Sequence, residues 1–552
     1  MKNFFTDRIE QNSKKIKKDV FINIERMVQT KTLNYETIIS MAKSYSKYLL
    51  DNNMQRAVAV IYMPANIDLA TVFLSCLYAD ITPIFKTISE NLSEEKFDYE
   101  FKQLLDNIDV IDLVICDKNR LNLRNKCLNN NINFCSLSNN DDDVFIKSIN
   151  RKQKVTDLII ITSGTTNSCK AVTISFSNLK HCLENCKEMW DMNEDSVNLS
   201  WAPHSHVLGL ITGYLLPMYV GCVSIIMSPK DFVTDPSSWL KLISKYKVTN
   251  CSTTLYGLEL CNKLFDEFEI EDISLSTLKY IGIGGELIKS MVLNEFCEKY
   301  SKFGFTNKMF SPSYGMTENS GVVSSIVKSD KYISVKFDSE GLKTGVLKEN
   351  NVNGNDIVSV GKIPKDTEIY IIDENNNILQ DGEVGEIIIS SPGLTKGYLH
   401  KDQNEMFQKI FSLTSKKYFK TGDCGGFYKN QLFITGRIKE IINIKGKKYS
   451  PYDIENCILE KITYKLKGIV IFSTYLNNEE KLICFASINH NEPNITNKIK
   501  NEIKKISKKY YNLNMYDIVF MDISDIPRTE SKKIRRQMCK QIYEEKYIKE
   551  VR

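Results

Sequence analysis

The stretch that most constrains this chain is Leu158–Leu179, LIIITSGTTNSCKAVTISFSNL. Its first residues, Leu158–Ile161, are all apolar and predict a short buried strand. The strand empties into Thr162, Ser163, Gly164, Thr165, Thr166, Asn167, Ser168 and Cys169, and Lys170 closes the run. Small, hydroxylic and turn-forming residues in that order suit a concavity of N–H and O–H donors with a cation at its rim. Such a concavity holds polyphosphate without a deep pocket. A Ser/Thr-rich surface turn has the same composition. The P-loop spacing G-x-x-x-x-G-K-[ST] is absent, since Gly164 has Cys169, Lys170 and Ala171 where that motif needs Gly-Lys-Ser/Thr.

At 552 residues the chain is too long for one core and predicts two or more domains. Its first part alternates periods. A helix is expected over Ile38–Leu50, with Ile39, Ala42, Tyr45 and Leu49 on its apolar face. A strand follows at Arg56–Tyr62 and an apolar helix at Asn66–Tyr78, a pattern that argues for α/β architecture. Asn139–Asp143 reads as a solvated loop. The segment Gly209–Met227 carries 19 residues without a charge, near the length of a membrane span. Gly213, Pro217 and Gly221 interrupt it, so a buried helix turning into a buried strand is the better expectation, and no transmembrane segment is assigned.

A net charge of +5 is weak for this length and gives no sign of a nucleic-acid partner. The 15 cysteines are scattered without a C-x-x-C pair, which argues against zinc. The N-terminal MKNFFTDRIEQNSKK lacks an apolar core of the signal-peptide kind, so reduced thiols in a cytoplasmic protein are expected.

Three further stretches carry chemistry. Tyr280–Glu286, YIGIGGE, predicts a strand ending in Gly284-Gly285, where backbone can approach a flat ligand. In Ser313–Glu318, SYGMTE, Tyr314 offers an aromatic face to a purine, and Gly315 allows close approach. Thr317 offers a hydroxyl to phosphate and Glu318 a carboxylate to Mg²⁺. Asp423 in YFKTGD suits ribose hydroxyls, and Arg437 suits ribose or phosphate oxygens.

These blocks resemble the adenylate-forming superfamily. The opening loop keeps TSGTT and the lysine of TSGTTGxPKG, with Asn167, Cys169 and Ala171 replacing Gly, Pro and Gly. Within the superfamily the chain is most similar to fatty acyl-AMP ligases. Asn198–Gly209, NLSWAPHSHVLG, resembles WLPxYHDMGLIG, with Val207 in place of Asp. Ser228–Phe232, Pro236, Trp239 and Ile243–Tyr246 follow the MSPxxF, P, W, IS+Y pattern. Ile438–Glu455 is similar to IIIRGRNHYPQDIE, and extra residues around Phe337–Gly345 resemble an insertion of that subfamily. Ile526–Arg536, IPRTESKKIRR, resembles LPKTSSGKIQR, with Lys532 in place of Gly and Lys533 in the register of the catalytic lysine.

The resemblance implies a large N-terminal α/β domain of layered sheets and helices, residues 1–436. It also implies a small mobile C-terminal α/β domain, 437–552, hinged near Lys439. It implies ATP and Mg²⁺ as cofactors, with Lys533, Thr317 and Glu318 catalytic. Thr162, Ser163, Gly164, Thr165, Thr166, Lys170, Gly284, Gly285, Glu286, Tyr314, Gly315, Met316, Asp423 and Arg437 are expected to hold nucleotide, and His206 and Gly209 to wall an acyl pocket. The expected reaction is activation of a carboxylic, fatty-type acid to an acyl-adenylate, then transfer to the phosphopantetheine of an acyl carrier protein. Thr317 and Val207 keep open an acyl-CoA, aryl or amino-acid activating relative. The altered phosphate loop and Lys532 keep open a non-catalytic binder.

Overall fold

The structure is a computed structural model. It describes residues 3–87, 94–108, 110–118, 120–137, 149, 154–162, 170–267, 273–327, 330–351, 354–399, 407–408, 416, 418–444, 447–464, 466–476, 479–488, 493–529 and 533–548. Ser163, Gly164, Thr165, Thr166, Lys532 and the Asn139–Asp143 stretch lie outside the described residues.

The expected early elements are present with shifted ends. The first expected helix runs Tyr35–Asp51, because the Asn34 side chain accepts from the Thr37 N–H and caps it one turn earlier. The strand begins at Val58, since Arg56 sits at φ 66°, outside extended backbone. The following helix is Asp68–Tyr78. The uncharged segment is a buried helical run through Val220, with a π turn at Ile211–Leu215. Gly221, at φ 95°, ends it and the strand Val223–Met227 follows. Among the described residues no helix is long and apolar enough to cross a membrane.

Two large sheets form the body. One has seven strands in the order 397–398, 170–174, 158–162, 82–87, 58–63, 113–116 and 133–136. The other has eight, in the order 321–325, 310–316, 280–283, 250–253, 197–200, 223–227, 21–25 and 28–33. In the second sheet the strands Val197–Ser200, Asn250–Thr253, Tyr280–Ile283 and Phe310–Met316 run parallel. Their carboxyl ends therefore deliver Trp201, Thr254, Gly284 and Thr317 to one edge, where open α/β sheets bind ligands. A shared core containing Phe5, Phe21, Tyr35, Phe73, Phe85 and Tyr214 fastens the N-terminal helices to both sheets.

The block Ser228–Trp239 turns out to be scaffold. Ser228 caps a short helix begun by Pro229. Phe232 then stacks on Trp201 at 4.1 Å and meets Trp239 edge-on at 5.8 Å. Phe337–Gly345 lies in a small hairpin, Ser334–Phe337 with Asn355–Val358, that carries the helix Ser339–Lys343. Asp338 caps that helix by accepting from the Gly341 N–H, and Phe337 packs edge-on against Tyr428 and Phe433. From Ile442 onward a separate core gathers Ile454, Ile458, Leu482, Ile503 and Ile518 around the sheet Gly468–Leu476, Glu479–Ser487 and Met515–Phe520.

Candidate functional site

A cavity of about 1650 Å³ opens where the parallel strand ends of the large sheet, the hairpin Tyr418–Arg437 and the C-terminal segment meet. Thr162, Lys170, His206, Gly284, Gly285, Glu286, Tyr314, Gly315, Met316, Thr317, Glu318, Asp423, Arg437, Lys439 and Lys533 all line it. Residues spread over most of the chain are thus brought to one surface.

Asp423 and Arg437 are direct cross-strand partners in their hairpin. The Arg437 Nε lies 2.8 Å from Asp423 Oδ1, and the Tyr314 hydroxyl donates to Asp423 Oδ2 at 2.7 Å. Each carboxylate oxygen keeps a further lone pair, which is what a pair of vicinal hydroxyls requires. Burial and then the Asp423 charge push the Tyr314 phenol well above its usual range, so it stays a donor. Asp423 holds Arg437 more firmly charged than usual. Gly284 and Gly315 present bare backbone to the cavity, and the side where each would carry a Cβ faces neighbouring strand atoms. A Cβ on Gly315 would stand 2.6 Å from the Gly321 carbonyl oxygen.

At the other end, Thr162 and Lys170 are paired at the mouth of their hairpin. Glu318 sits in the single turn Thr317–Asn319 that follows the strand Phe310–Met316. The Tyr398 hydroxyl lies between them: it donates to Glu318 Oε1 at 2.7 Å and accepts from Lys170 Nζ at 3.2 Å. Tyr398 was not anticipated. Its role depends on partners 80 and 228 residues away, which local pattern does not reveal.

Lys533 reaches the cavity from the C-terminal segment. The Thr529 N–H donates to the Lys533 carbonyl at 2.8 Å, and the Lys533 N–H donates to Thr529 Oγ1 at 3.1 Å, which ties the two residues together. The side chain lies over Gly285, whose φ is +90°. A Cβ there would stand 3.2 Å from Lys533 Cε and 3.3 Å from Nζ. A side chain at 285 would be strained and would press on the ammonium, so the glycine keeps this approach open. Burial, and then the neighbouring Arg437 charge, lower the Lys533 pKa, while Glu286 and Asp423 oppose the shift. Burial and Glu259 raise the Glu286 carboxyl, and the Tyr256 N–H donates to it at 3.1 Å.

Three residues after Lys533, Arg536 anchors the chain. Its guanidinium pairs with Glu455, donates to the Ile471 carbonyl at 2.6 Å and lies 3.6 Å from Glu440. It also covers the Tyr452 ring at 4.6 Å. Glu440 ends the turn Ile438–Glu440 that contains Lys439, so the same cation reaches both ends of the C-terminal segment.

His206 lines the cavity at the start of the helical run, beside Trp201 and Pro203. Gly209 does not belong to that wall. It lies one turn into the helix against the loop, where a Cβ would stand 2.2 Å from the Pro203 carbonyl oxygen. It is needed for packing behind His206. Among the described residues no group of three or more His, Cys, Asp or Glu side chains is arranged to hold a metal ion.

A model of the AMP-binding enzyme family matches residues 9–399. The medium-chain-fatty-acid–[acyl-carrier-protein] ligase JamA of Moorena producens is 28 % identical over 394 residues, which are 69 % of this chain and 66 % of that protein. The 4-hydroxyphenylalkanoate adenylyltransferase of Mycobacterium tuberculosis is 27 % identical over 401 residues, 69 % of this chain and 64 % of that one. The match thus spans just under two thirds of each relative's length. The crystal structure of a fatty acid AMP ligase from Legionella pneumophila superposes with a TM-score of 0.72 at 26 % identity, over 98 % of this chain and 96 % of that one. A chain from work on fatty acyl-adenylate ligases of E. coli and L. pneumophila shares the fold, with a TM-score of 0.86 at 23 % identity over 99 % and 98 %.

Proposed function

The chain belongs to the AMP-binding enzyme family, and on that premise we propose that it activates a fatty-type carboxylic acid with ATP and passes the acyl group to a holo acyl carrier protein. The acid's carboxylate oxygen attacks the α-phosphorus of ATP, the bond to the β-phosphate oxygen breaks, and pyrophosphate leaves. The phosphopantetheine thiol then displaces AMP from the acyl-adenylate. The observation that carries this reading is the meeting of Lys533 with Gly285, beside the Asp423–Arg437 pair. It puts a desolvated cation next to a nucleoside-sized hydrogen-bonding site.

The first step brings two anions together, so positioning and cation supply dominate its catalysis. In this reading Tyr314 and Gly284 flank the adenine, and Asp423 accepts from the ribose hydroxyls. Lys533 bridges the attacking carboxylate and the α-phosphate. Glu318 would hold Mg²⁺, which would supply positive charge to the phosphate oxygens. A single carboxylate, Glu318, together with phosphate oxygens suits its habit of keeping few protein ligands. Lys170 and the loop before it grip the departing phosphates, and His206 and Trp201 flank the acid. Residues 437–552 act as a mobile domain hinged near Lys439.

Carrier protein as acceptor is supported by the name of the relative JamA and by the packing of the inserted hairpin. Lys343 of that hairpin lies 5.3 Å over the rings of both Tyr449 and Tyr511, in the proposed mobile domain. The Tyr511 hydroxyl also donates to Asn355 at 3.3 Å. These contacts resist the swing that opens a route for coenzyme A. An aryl-alkanoate substrate is the second reading, favoured by the mycobacterial relative.

The test supplies ATP, magnesium and a panel of aliphatic and aryl acids, detects acyl-AMP by mass spectrometry, then adds holo carrier protein or coenzyme A. Acyl-AMP with a medium-chain acid and preferential carrier loading are expected. No acyl-AMP with any acid would remove the reading, and equal loading of coenzyme A would remove its acceptor half.

A further inference from the structure

We propose that Tyr398 is the positioning residue of the phosphate end, a hydroxyl spacer that holds Glu318 and Lys170 in working separation. The inference rests on the reading of those two residues as magnesium-facing carboxylate and phosphate-facing cation.

The bridge between the two opposite charges runs through one oxygen. The Tyr398 O–H donates to Glu318 Oε1 at 2.7 Å, and the same oxygen accepts from Lys170 Nζ at 3.2 Å. The ammonium also stands 4.7 Å from the centroid of the Tyr398 ring. A carboxylate and an ammonium this near each other in a partly dry cleft attract strongly. Collapsed into a direct ion pair, they would hide from an incoming metal–triphosphate the two charges it needs. The hydroxyl satisfies one carboxylate oxygen with a neutral donor and leaves Oε2 for a cation.

The backbone around Tyr398 is tied to both partners, which fixes where the hydroxyl goes. Gly397-Tyr398 pairs antiparallel with Thr173 and Val172, on the strand that begins at Lys170. The Leu399 N–H donates to the Ala171 carbonyl at 2.8 Å. A few residues earlier, the Thr395 N–H donates to the Glu318 carbonyl at 2.7 Å, and Ser320 Oγ donates to the Gly393 carbonyl at 2.8 Å. One short segment thus joins the strand after the phosphate loop to the turn that carries the carboxylate. The tyrosine side chain completes at the charges what the main chain does behind them.

Tyr398→Phe removes the oxygen while keeping the ring and the strand pairing. Binding of a non-hydrolysable ATP analogue, followed calorimetrically across a magnesium titration, should weaken roughly 10-fold or more, the usual loss for a hydrogen bond to a charged group. The magnesium needed for half-saturation should rise with it, while the thermal midpoint stays close to that of the parent. Glu318→Gln and the double variant complete a cycle, and strong non-additivity is expected because both changes break the same bridge. Unchanged analogue affinity and magnesium dependence in Tyr398→Phe, or strict additivity, would overturn the inference while leaving the parent reading intact. Failure of the parent chain to bind the analogue would remove that reading and this inference with it.

Discussion

Two of the lysines that line the cavity, Lys170 and Lys533, are held in opposite ways. Lys170 begins a strand of the seven-stranded sheet and faces Tyr398 and, through it, Glu318. Lys533 comes from the C-terminal segment, lies over bare glycine backbone and has a second cation, Arg437, as its neighbour. The first is fixed by sheet pairing and satisfied by its surroundings. The second is delivered by a separate core and is less comfortable as a charge where it stands. A group that must stabilise charge only as the reaction proceeds benefits from that discomfort, because incoming phosphate relieves it. A group that only grips phosphate has no such need. On this account Lys533 serves the transition state and Lys170 serves binding.

The largest effect should come from Lys533→Ala, with adenylation slowed by roughly 10²–10³-fold at nearly unchanged ATP affinity. Lys532→Ala should stay near the parent rate; if it is instead the crippled variant, the register assigned to Lys533 is wrong. Next comes Lys170→Ala, which should weaken ATP roughly 10–100-fold with a smaller change in turnover. Equal effects of the two lysines on turnover would erase the distinction between them. Because burial and Arg437 lower the Lys533 pKa, its proton should be lost below the ordinary lysine value of 10.5. The alkaline limb of kcat/KM should therefore fall as pH rises through that depressed value, and Lys533→Arg should move the limb upward.

How far these differences were legible in the sequence depends on where each residue's partners lie. Tyr314, Asp423 and Arg437 sit in short stretches whose resemblance to the adenylate-forming superfamily implies their chemistry. The strand register that makes Asp423 and Arg437 neighbours only completes it. Lys533 required a register argument through two adjacent lysines. Tyr398 was invisible because each of its contacts joins distant parts of the chain. Gly209 misled for the opposite reason. It is close in sequence to His206, but a helical turn aims it at the Pro203 carbonyl and away from the cavity. The aromatic cluster of Trp201, Phe232 and Trp239 shows that the Ser228–Trp239 motif supports the wall rather than performing chemistry.

Smaller effects should arise where the hairpin Ser334–Val358 meets the C-terminal segment. Lys343→Ala removes the cation over Tyr449 and Tyr511 and should raise coenzyme A use relative to carrier protein about threefold or more. An unchanged ratio would place the barrier elsewhere. Beside it, burial pushes the Asp453 carboxyl up to about 7. Its value in the fold lies above the unfolded one, so its contribution is full in acid and is lost as pH rises through about 7. Asp453→Asn should narrow the difference in thermal midpoint between mildly acidic and mildly alkaline buffer by about 2–4 °C. A gap that stays as wide as the parent's would show that the carboxyl is not stressed in the fold.

The central claim is that the cavity makes an acyl-adenylate reversibly. Exchange of labelled pyrophosphate into ATP measures that step alone, without acceptor or carrier protein. With magnesium and a medium-chain acid, the account predicts label in ATP that depends on the acid and enters roughly 10²–10³-fold more slowly in Lys533→Ala. Exchange that proceeds equally without acid, or is absent with every acid offered to a chain that still binds ATP, would contradict it.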